Sequence, residues 1–522
     1  MRRIPTLLSF AVLACARGPA TTSPTPAPPP FAETLRVTPI HPDELRRDLT
    51  VFAADSFRGR EAGTPDAARA ARFIAERLAQ LGVEPAGDSG YFQRVPMTRT
   101  RLAPGATITV AEGGRATAIP VGVEGLVPIG TLGAGVPLPR LSAAGDLVFA
   151  GYALAGGEGR DDLTGLDLAG KVVVYVHGAP AALDSARRAG LTDQPLGERL
   201  GRLMARGPAA VVVLATGELA KEFGPFAAEM MSSMTLGHAE DTAASRVLPM
   251  LLIGTPRPGS LLLPAAWPAD DRARPLRGRR LTARVDLKAE KVTGHNVVGV
   301  VRGSDAALRG TFVAFGAHLD HVGIQPGVNG DSIANGADDD GSGSMGILAI
   351  ARALTGTSSK PRRSALFVWH TAEEKGLLGS AWFTEHPTVP LDSVVAQLNA
   401  DMIGRNSPDS LYLVGARAAP NRQSSVLGAI VDSVNAALPR PFAVNREWDS
   451  PDHPERIYER SDHFNYAKHG IPVVFFTTGL HEDYHQVSDE VSKVDFDKLA
   501  RVSNLMLQSG IAVASRVARP RP

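Results

Sequence analysis

Three consecutive carboxylates, Asp338–Asp340, lie in the glycine-rich stretch "GADDDGSG" immediately before an apolar segment. Like charges at this spacing repel one another, and a helix beginning at Ser342 would offset only about 0.3 to 1 kcal/mol through its N-terminal dipole. A bound multivalent cation would offset far more of this repulsion. The triplet therefore predicts a metal site.

Further ionisable residues follow four apolar, strand-like runs in the last part of the chain. The runs are "TFVAFGAHLD", "SALFVWHTAEE", "VVAQLNAD" and "IPVVFFTTGLHEDYH". In an open α/β sheet, ligands bind beyond the carboxyl ends of the strands, so side chains that are distant in sequence converge there. The residues that we expect to converge are His318, Asp320, Glu373, Glu374, Asp401 and His485.

The residue types in this set favour zinc. Calcium prefers oxygen ligands alone, whereas two histidines with carboxylates suit zinc, with cobalt or manganese as substitutes. An EF-hand interpretation of "DDDGSGSMGILA" fails because its twelfth position is Ala349 instead of glutamate. The single cysteine, Cys15, lies near the N-terminus, so we expect neither a disulfide nor a thiolate metal site in the mature chain.

Length and charge restrict the class of protein. The 522 residues are too many for one ordinary domain, and 44% of them are hydrophobic, which suffices for at least one large core. We therefore expect two folded domains. Lys and Arg total 55 against 54 acidic residues, and this balance argues against nucleic acid as the main partner.

The first residues are typical of an export signal. Two arginines precede an apolar run from Ile4 to Ala14, which is too short to span a bilayer permanently. The phrase "VLAC" resembles a bacterial lipobox, so residues 1–15 predict a signal peptide with lipidation of Cys15 or, alternatively, ordinary signal cleavage. We expect an exported protein, either a cell-envelope lipoprotein (periplasmic or attached to the outer membrane) or a secreted one.

Residues 16–30 and 31–140 predict a tether and the start of the folded chain. The first range is rich in proline and threonine and cannot build a core. The second contains an amphipathic helix between Thr64, which is a suitable N-cap, and Gly82, which ends the apolar pattern.

The two remaining stretches differ in pattern. Residues 141–285 hold short β-like runs separated by Gly- and Pro-rich turns, with one helix from Leu196 to Ala205, and predict a small β-rich module. Residues 286–522 alternate apolar strands with helical segments. This alternation predicts an α/β fold with a mostly parallel mixed sheet flanked by helices on both faces.

Five phrases in one order, "GAHLDHVG", "GADDDGSG", "HTAEEKGLLGS", "NADMIGR" and "DYHQVSDE", resemble the motifs of peptidase family M28, zinc-dependent exopeptidases of the aminopeptidase Y type. The segment from "ADSFRGREAG" to "YFQRVPM" is similar to the leading part of that family. Residues 141–285 are similar to the protease-associated (PA) domain that many members carry as an insertion. The resemblance implies a zinc-peptidase (phosphorylase/hydrolase-like) fold, in which 31–140 and 286–522 form the peptidase domain.

The resemblance also implies two zinc ions per chain and their ligands. His318, Asp339 and Asp401 would hold one zinc ion. Asp339, Glu374 and His485 would hold the other, so that Asp339 bridges the pair. The neighbours of Asp339 in the triplet would serve the turn or support the ligands.

Two further carboxylates take roles without binding zinc. Glu373 is implied as the general base that takes a proton from water and passes it to the leaving amine. Asp320, two positions beyond His318, points to the same side of an extended segment and would orient that imidazole. Two zinc ions sharing a water lower its pKa from near 16 to about 7, so hydroxide is available at neutral pH. The predicted activity is that of a metallo-exopeptidase, an aminopeptidase acting on peptides or proteins.

Several alternatives stay open at this point. Carboxypeptidases and dipeptidases of the family share the same metal constellation, a glutaminyl-cyclase-like transferase binds a single zinc, and receptor-like relatives are non-catalytic binding ectodomains. His481 competes with His485 as a ligand. Asp462 and His463 are structural or contact the substrate, and residues 445–462 form either a pocket rim or an ordinary surface loop.

Overall fold

The computed structural model describes residues 37–520, apart from 123, 130–139, 193–195, 222, 225–226, 228–231, 238–249, 258, 329, 416–424, 451–452 and 454. The predicted signal peptide (1–15) and tether (16–30), with Cys15, lie outside the described residues. Within the described ranges, no helix combines the length and the apolar character needed to cross a bilayer.

The strands in the described ranges are, in chain order, β1 (Glu84–Pro85), β2 (Phe92–Leu102), β3 (Thr107–Glu112), β4 (Arg115–Ile119), β5 (Leu126–Ile129), β6 (Arg140–Phe149), β7 (Val172–His177), β8 (Ala210–Ala215), β9 (Ser232–Leu236), β10 (Met250–Gly254), β11 (Arg274–Val301), β12 (Phe312–His318), β13 (Gly323–Val328), β14 (Asp331–Ala334), β15 (Ser364–His370), β16 (Val394–Ala400), β17 (Ser410–Val414), β18 (Ala443–Asn445) and β19 (Val473–Thr477). The helices are α1 (Pro42–Phe52), α2 (Pro65–Gln80), α3 (Ser185–Thr192), α4 (Leu196–Met204), α5 (Glu218–Lys221), α6 (Gly343–Gly356), α7 (Leu378–Glu385), α8 (Ser425–Ala436), α9 (His463–Lys468) and α10 (Phe496–Ala514).

Helix α2 has the capping and the apolar face that its sequence predicts. The Thr64 hydroxyl accepts a hydrogen bond from the backbone N–H of Ala67 at 3.3 Å, which satisfies one of the free donors of the first turn. Ile74 and Leu78 are fully buried. Gly82 follows with φ 71°, a left-handed conformation that favours glycine, so the chain leaves the helix there.

The sheet that contains β12, which we call the main sheet, has a parallel centre. Strand β12 lies between β15 and β16 and is parallel to both, and β16 is parallel to β19. Antiparallel strands flank this group, with β11 beside β15 and β17 beside β19. Helices α1, α2, α6, α8 and α10 cover one face, and α7 and α9 cover the other. The predicted mostly parallel mixed sheet is therefore confirmed.

A second sheet forms the β-rich module, which consists of β3 to β8, β10 and the first half of β11. Strands β6, β7, β8 and β10 pair in parallel, and alternate residues of these strands enter separate cores on the two faces. Helix α4 ends one residue short of the predicted 196–205.

The predicted domain boundaries at 140 and 285 differ from the structure. Strands β3 and β5 precede residue 140 but pair with β11 and β10 of the β-rich module. Strand β11 runs without interruption from Arg274 to Val301, and its second half pairs with β2 and β15 of the main sheet. These pairings join segments that are distant in the chain, so local composition carries no sign of them.

Candidate metal centre

The candidate ligands converge at one edge of the main sheet, beyond the carboxyl ends of its parallel strands. His318 is the last residue of β12, Asp401 follows β16, and Glu373 and Glu374 follow β15. These strands are parallel neighbours, so their carboxyl ends meet. His485 reaches the same edge from the loop after β19.

The first group of donors surrounds the His318 imidazole. Its Nε2 atom lies 3.3 Å from Oδ1 of Asp339 and 3.5 Å from Oδ1 of Asp401. All three side chains are buried, so no bulk water screens the two carboxylates from one another. This triad could hold a metal ion.

The second group forms around the other oxygen of Asp339. The Nε2 atom of His485 lies 3.3 Å from Asp339 Oδ2 and 2.8 Å from Oε2 of Glu374. Asp339 therefore directs one carboxylate oxygen to each group. The structure thus brings together the five side chains that the family resemblance implies as ligands, and it places Asp339 between the two groups.

The donor set has the spacing that zinc requires. With zinc–ligand bonds of about 2.0 to 2.2 Å, the ligand atoms of a tetrahedral site lie about 3.3 to 3.6 Å apart. The distances of 3.3 and 3.5 Å in the first group and 3.3 Å between His485 and Asp339 agree with this range, whereas His485 and Glu374 are closer, at 2.8 Å. Asp339 Oδ2 and His485 Nε2 are buried without a hydrogen-bond partner. Both atoms are thus oriented for a cation.

Charge compensation dominates the electrostatics of the second group. Burial disfavours a charged imidazole, but the carboxylates of Glu374 and Asp339 outweigh it and raise the pKa of His485 to about 10. Burial and the charge of Asp339 raise the pKa of Glu374, but His485 and His321 outweigh them and lower it to about 2. The carboxylates thus persist as anions only with positive charge between them, which a multivalent cation supplies.

Glu373 lies beside the first group and differs from Glu374 in its electrostatics. Its Oε2 atom lies 3.9 Å from His318 Nε2, beyond hydrogen-bond distance. Burial raises the pKa of Glu373 well above the usual range, against the opposing effect of His318 and with the added repulsion of Asp401. A carboxyl group in such an environment readily accepts a proton.

The outer carboxylates of the triplet hold backbone in place. Asp340 accepts hydrogen bonds from the backbone N–H of His318, Gly343 and Met402. Asp338 accepts one from the N–H of Gly404 at 2.7 Å. These bonds hold the loop of the aspartate triplet, which we call the metal loop, against the ends of β12 and β16. Neither Asp338 nor Asp340 contributes an atom to the two groups of donors.

Asp320 makes a different contact from the predicted one. The Nδ1 atom of His318 lies 3.1 Å from the backbone carbonyl oxygen of Asp320, so that carbonyl orients the imidazole. The Asp320 carboxylate instead accepts a hydrogen bond from the backbone N–H of Glu373 at 3.2 Å. The prediction that the carboxylate orients His318 is therefore wrong in its atomic detail, because the chain turns after β12 and redirects the side chain.

Residues 296–510 match the family model for peptidase family M28. This range contains both groups of donors and Glu373. This segment belongs to peptidase family M28. The resemblance predicted from the five motifs is thereby confirmed for these residues, which we call the M28 segment. The assignment of the β-rich module as a PA domain stays a prediction.

The chain is also similar to named proteins. It is 33% identical over 196 residues to the probable leucine aminopeptidase 2 of Aspergillus oryzae (strain ATCC 42149 / RIB 40), which covers 37% of this chain and 36% of that relative. The chain thus spans about a third of the length of this relative.

Two solved structures share the fold over most of the chain. An aminopeptidase from Aneurinibacillus sp. strain AM-1 superposes with a TM-score of 0.57 at 18% identity, covering 92% of this chain and 95% of that one. BSAP, a zinc aminopeptidase from Bacillus subtilis, superposes with a TM-score of 0.55 at 19% identity, covering 93% and 98%. At these identities the likeness shows the fold.

A cavity opens from the carboxylates of the M28 segment. The predicted rim segment, residues 445–462, supplies Trp448, Ile457 and Arg460 to its wall, which favours the pocket-rim interpretation over an ordinary surface loop for these three residues. Tyr484, to which sequence reasoning gave no role, also lines the cavity, and its ring stacks on His485 with centroids 3.8 Å apart. The other lining residues are Asp339, Glu373, Glu374, Asp401, Met402, Phe475, Thr477 and Leu480.

Three histidine and aspartate candidates of the M28 segment lie outside both groups. His481 Nε2 contacts Asp338 Oδ2 at 3.2 Å, so this rival of His485 supports the metal loop from behind. Asp462 pairs with His370 at 3.3 Å, and His463 stacks on Phe475 with centroids 4.8 Å apart. Asp462 and His463 are fully buried and do not line the cavity, so their positions are structural.

Arg60, which precedes the M28 segment, is a supporting residue that sequence reasoning missed. Its buried guanidinium donates hydrogen bonds to the backbone carbonyls of Leu319 (3.0 Å), Asn335 (2.7 Å), Gly336 (2.9 Å) and Phe52 (3.3 Å). These bonds connect the turn after β12 to the loop before the aspartate triplet. The phrase "SFRGREAG" contained this residue, but no local pattern shows that one arginine bonds four carbonyls across the fold.

We expect Arg60→Ala to lower the free energy of unfolding by at least about 3 kcal/mol, because it leaves several buried carbonyls unpaired. Arg60→Lys should recover only part of the loss, since an ammonium cannot span the same acceptors. Urea unfolding measures both. The control is Arg58→Ala, which removes a 58% exposed side chain with one ion pair of 3.7 Å and should cost under about 1 kcal/mol. Equal costs for the two alanine variants would refute the assignment.

Proposed function

We propose that this protein is a zinc-dependent exopeptidase, an aminopeptidase that hydrolyses the N-terminal residue of peptides with two zinc ions per chain. The observation that carries the proposal is the sharing of Asp339 between two imidazole–carboxylate groups whose carboxylates line one cavity. Membership of the M28 family and the names of the relatives support it.

In this proposal His318, Asp339 and Asp401 hold one zinc ion, and Asp339, Glu374 and His485 hold the other. The zinc pair would lower the pKa of a water molecule from near 16 to about 7 and polarise the peptide carbonyl. The Asp401 carboxylate is already oriented, because its Oδ2 accepts a hydrogen bond from the Ser461 hydroxyl at 2.8 Å while Oδ1 faces His318.

Glu373 transfers the protons. Its carboxylate lines the cavity beside the first group and contributes to neither set of donors. The raised pKa of Glu373 favours taking the proton from water and holding it until the leaving amine accepts it. One carboxylate thus serves as base and then as acid.

Tyr484 supplies a neutral donor in the same cavity. Burial and the nearby charges of Asp339 and Glu374 raise the pKa of its phenol well above the usual range. The hydroxyl therefore keeps its proton at neutral pH and can donate a hydrogen bond to a substrate oxygen. The stacking of its ring on His485 holds it close to the second group.

Hydrolysis of an unblocked leucine anilide tests the proposal. We expect purified protein to release the chromophore, lose the activity in chelator and regain it with zinc. Acylation of the substrate amino group should lower kcat/KM at least about 100-fold, because an acylated nitrogen could no longer bind one of the zinc ions and its recognition would be lost. Elemental analysis should give two zinc ions per chain.

Other outcomes would favour the alternatives. Equal cleavage of blocked and free substrates would exclude an aminopeptidase, and cleavage of N-blocked dipeptides would favour a carboxypeptidase. One zinc ion with cyclisation of N-terminal glutamine would indicate a transferase. Zinc binding without turnover on any peptide would indicate a binding ectodomain.

A further inference from the structure

His321 lies next to the second group of donors, and its imidazole is close enough to Asp339 and Glu374 to join them around a metal ion, yet the proposed chemistry gives it no part. Its imidazole is fully buried. The Nδ1 atom lies 2.8 Å from Oε1 of Glu374 and 3.8 Å from Oδ2 of Asp339. The ring of His321 is 5.8 Å from that of His485, so two imidazoles approach the same pair of carboxylates.

The two imidazoles contact Glu374 in different ways. Both nitrogen–oxygen distances are 2.8 Å, but only the pair His321 Nδ1 and Oε1 has hydrogen-bond geometry. The Nε2 atom of His485 has no hydrogen-bond partner, although Oε2 lies equally near. His485 thus directs its lone pair into the space between the carboxylates, whereas His321 directs its nitrogen at one oxygen.

The surrounding backbone fixes the His321 ring. Gly336 lies so close that a Cβ atom added there would stand 2.5 Å from both Cγ and Cδ2 of His321. Gly336 also has φ 54°, which favours glycine. The backbone N–H of His321 also donates a hydrogen bond to the carbonyl oxygen of Arg60 at 3.4 Å, which holds the main chain of this residue. The close approach of Gly336 therefore limits the movement of the imidazole.

We propose that His321 is a positioning residue that donates its Nδ1–H to Oε1 of Glu374, so that Oε2 alone faces His485 and the second cation. This inference rests on the proposed metal centre and deepens it. Without His321, the Glu374 carboxylate would lose the partner of one oxygen and could rotate about its last bond. Hydrogen bonds to ligating carboxylates typically change metal affinity about 10- to 100-fold.

Two amide substitutions separate the hydrogen bond from the bulk of the ring. In His321→Asn the side-chain nitrogen can take the place of Nδ1 and keep the donor to Glu374. In His321→Gln the longer amide reaches toward the place of Nε2, an atom that has no hydrogen-bond partner. His321→Ala removes donor and ring together.

The measurement is zinc affinity by competition with a chromophoric chelator, made on the full-length protein. We expect the Gln and Ala variants to bind the second zinc ion about 10- to 100-fold more weakly, with the first unchanged, and the Asn variant to stay within about threefold of the parent. In cobalt-loaded protein, the visible absorption of the second ion should shift in the Gln and Ala variants and be retained in the Asn variant.

Three results would overturn the inference. Normal binding of both ions by the Ala variant would show that Glu374 needs no partner. Loss of the second ion from all three variants, with unchanged unfolding in chelator, would make His321 a direct ligand. Equal destabilisation in chelator with normal zinc affinity would make its role one of packing. Failure of the proposed function is distinct, because it would appear in the parent protein itself, which would then bind no zinc or would not hydrolyse free peptides.

Discussion

Glu373→Gln is expected to keep both zinc ions and to lose about 10²- to 10⁴-fold in kcat, the usual contribution of a positioned acid–base group. The substitution preserves the shape of the side chain but removes its ability to take a proton. Glu373 contributes no atom to either group of donors, so metal content should not change. Steady-state kinetics on a leucine anilide and elemental analysis of the same sample measure both quantities.

The control for this variant is Glu385→Gln, which neutralises a glutamate whose side chain is 65% exposed and lies outside the cavity. Its kcat should stay within about twofold of the parent, as for most surface substitutions. A Glu373→Gln enzyme that retains full turnover would remove Glu373 from the role of base. Loss of zinc from that variant would instead make it a ligand.

Asp339→Ala is expected to bind neither zinc ion tightly and to lose all zinc-dependent turnover, because Asp339 is shared by the two groups of donors. At a zinc concentration 100 times the dissociation constant, each occupied site stabilises a folded protein by about 2.7 kcal/mol. The parent should therefore unfold at a higher temperature with zinc than with chelator. This difference should vanish in the variant.

Asp401→Ala is the matched comparison, because Asp401 belongs to the first group alone. We expect it to keep about one zinc ion per chain and part of the zinc-dependent rise in Tm. If Asp339→Ala and Asp401→Ala each retained one ion, then Asp339 would serve a single site and the bridging assignment would be wrong. If Asp339→Ala kept two ions, the metal centre itself would lie elsewhere.

Local sequence patterns were sufficient to predict the strands that carry the candidate metal ligands and helix α2. The apolar runs that end at His318 and before Asp401 predicted strands, and the rule that ligands collect at the carboxyl ends of parallel strands predicted their convergence. Thr64 and Gly82 marked the two ends of α2 in the same way. Each of these inferences depends on neighbouring residues, whose influence on the backbone is short-ranged.

Local patterns did not predict the contacts between segments that are distant in the chain. The motif "GAHLDHVG" contained His321, but only the folded chain brings Gly336 against its ring and Glu374 to its nitrogen. Likewise, composition predicted a domain boundary at 140, but β3, which precedes that residue, pairs with β11 of the β-rich module.

The residue types and their order were enough to predict an α/β sheet, a set of metal donors and a family, because backbone propensity and ligand chemistry belong to each residue. The atoms that orient those donors emerged only from the folded chain. The His318 imidazole faces the backbone carbonyl of Asp320, and Arg60 bonds four carbonyls from three separate segments. Every residue carries the same backbone carbonyl, so the sequence does not show which carbonyls these side chains will reach. That depends on where tertiary packing places each backbone group.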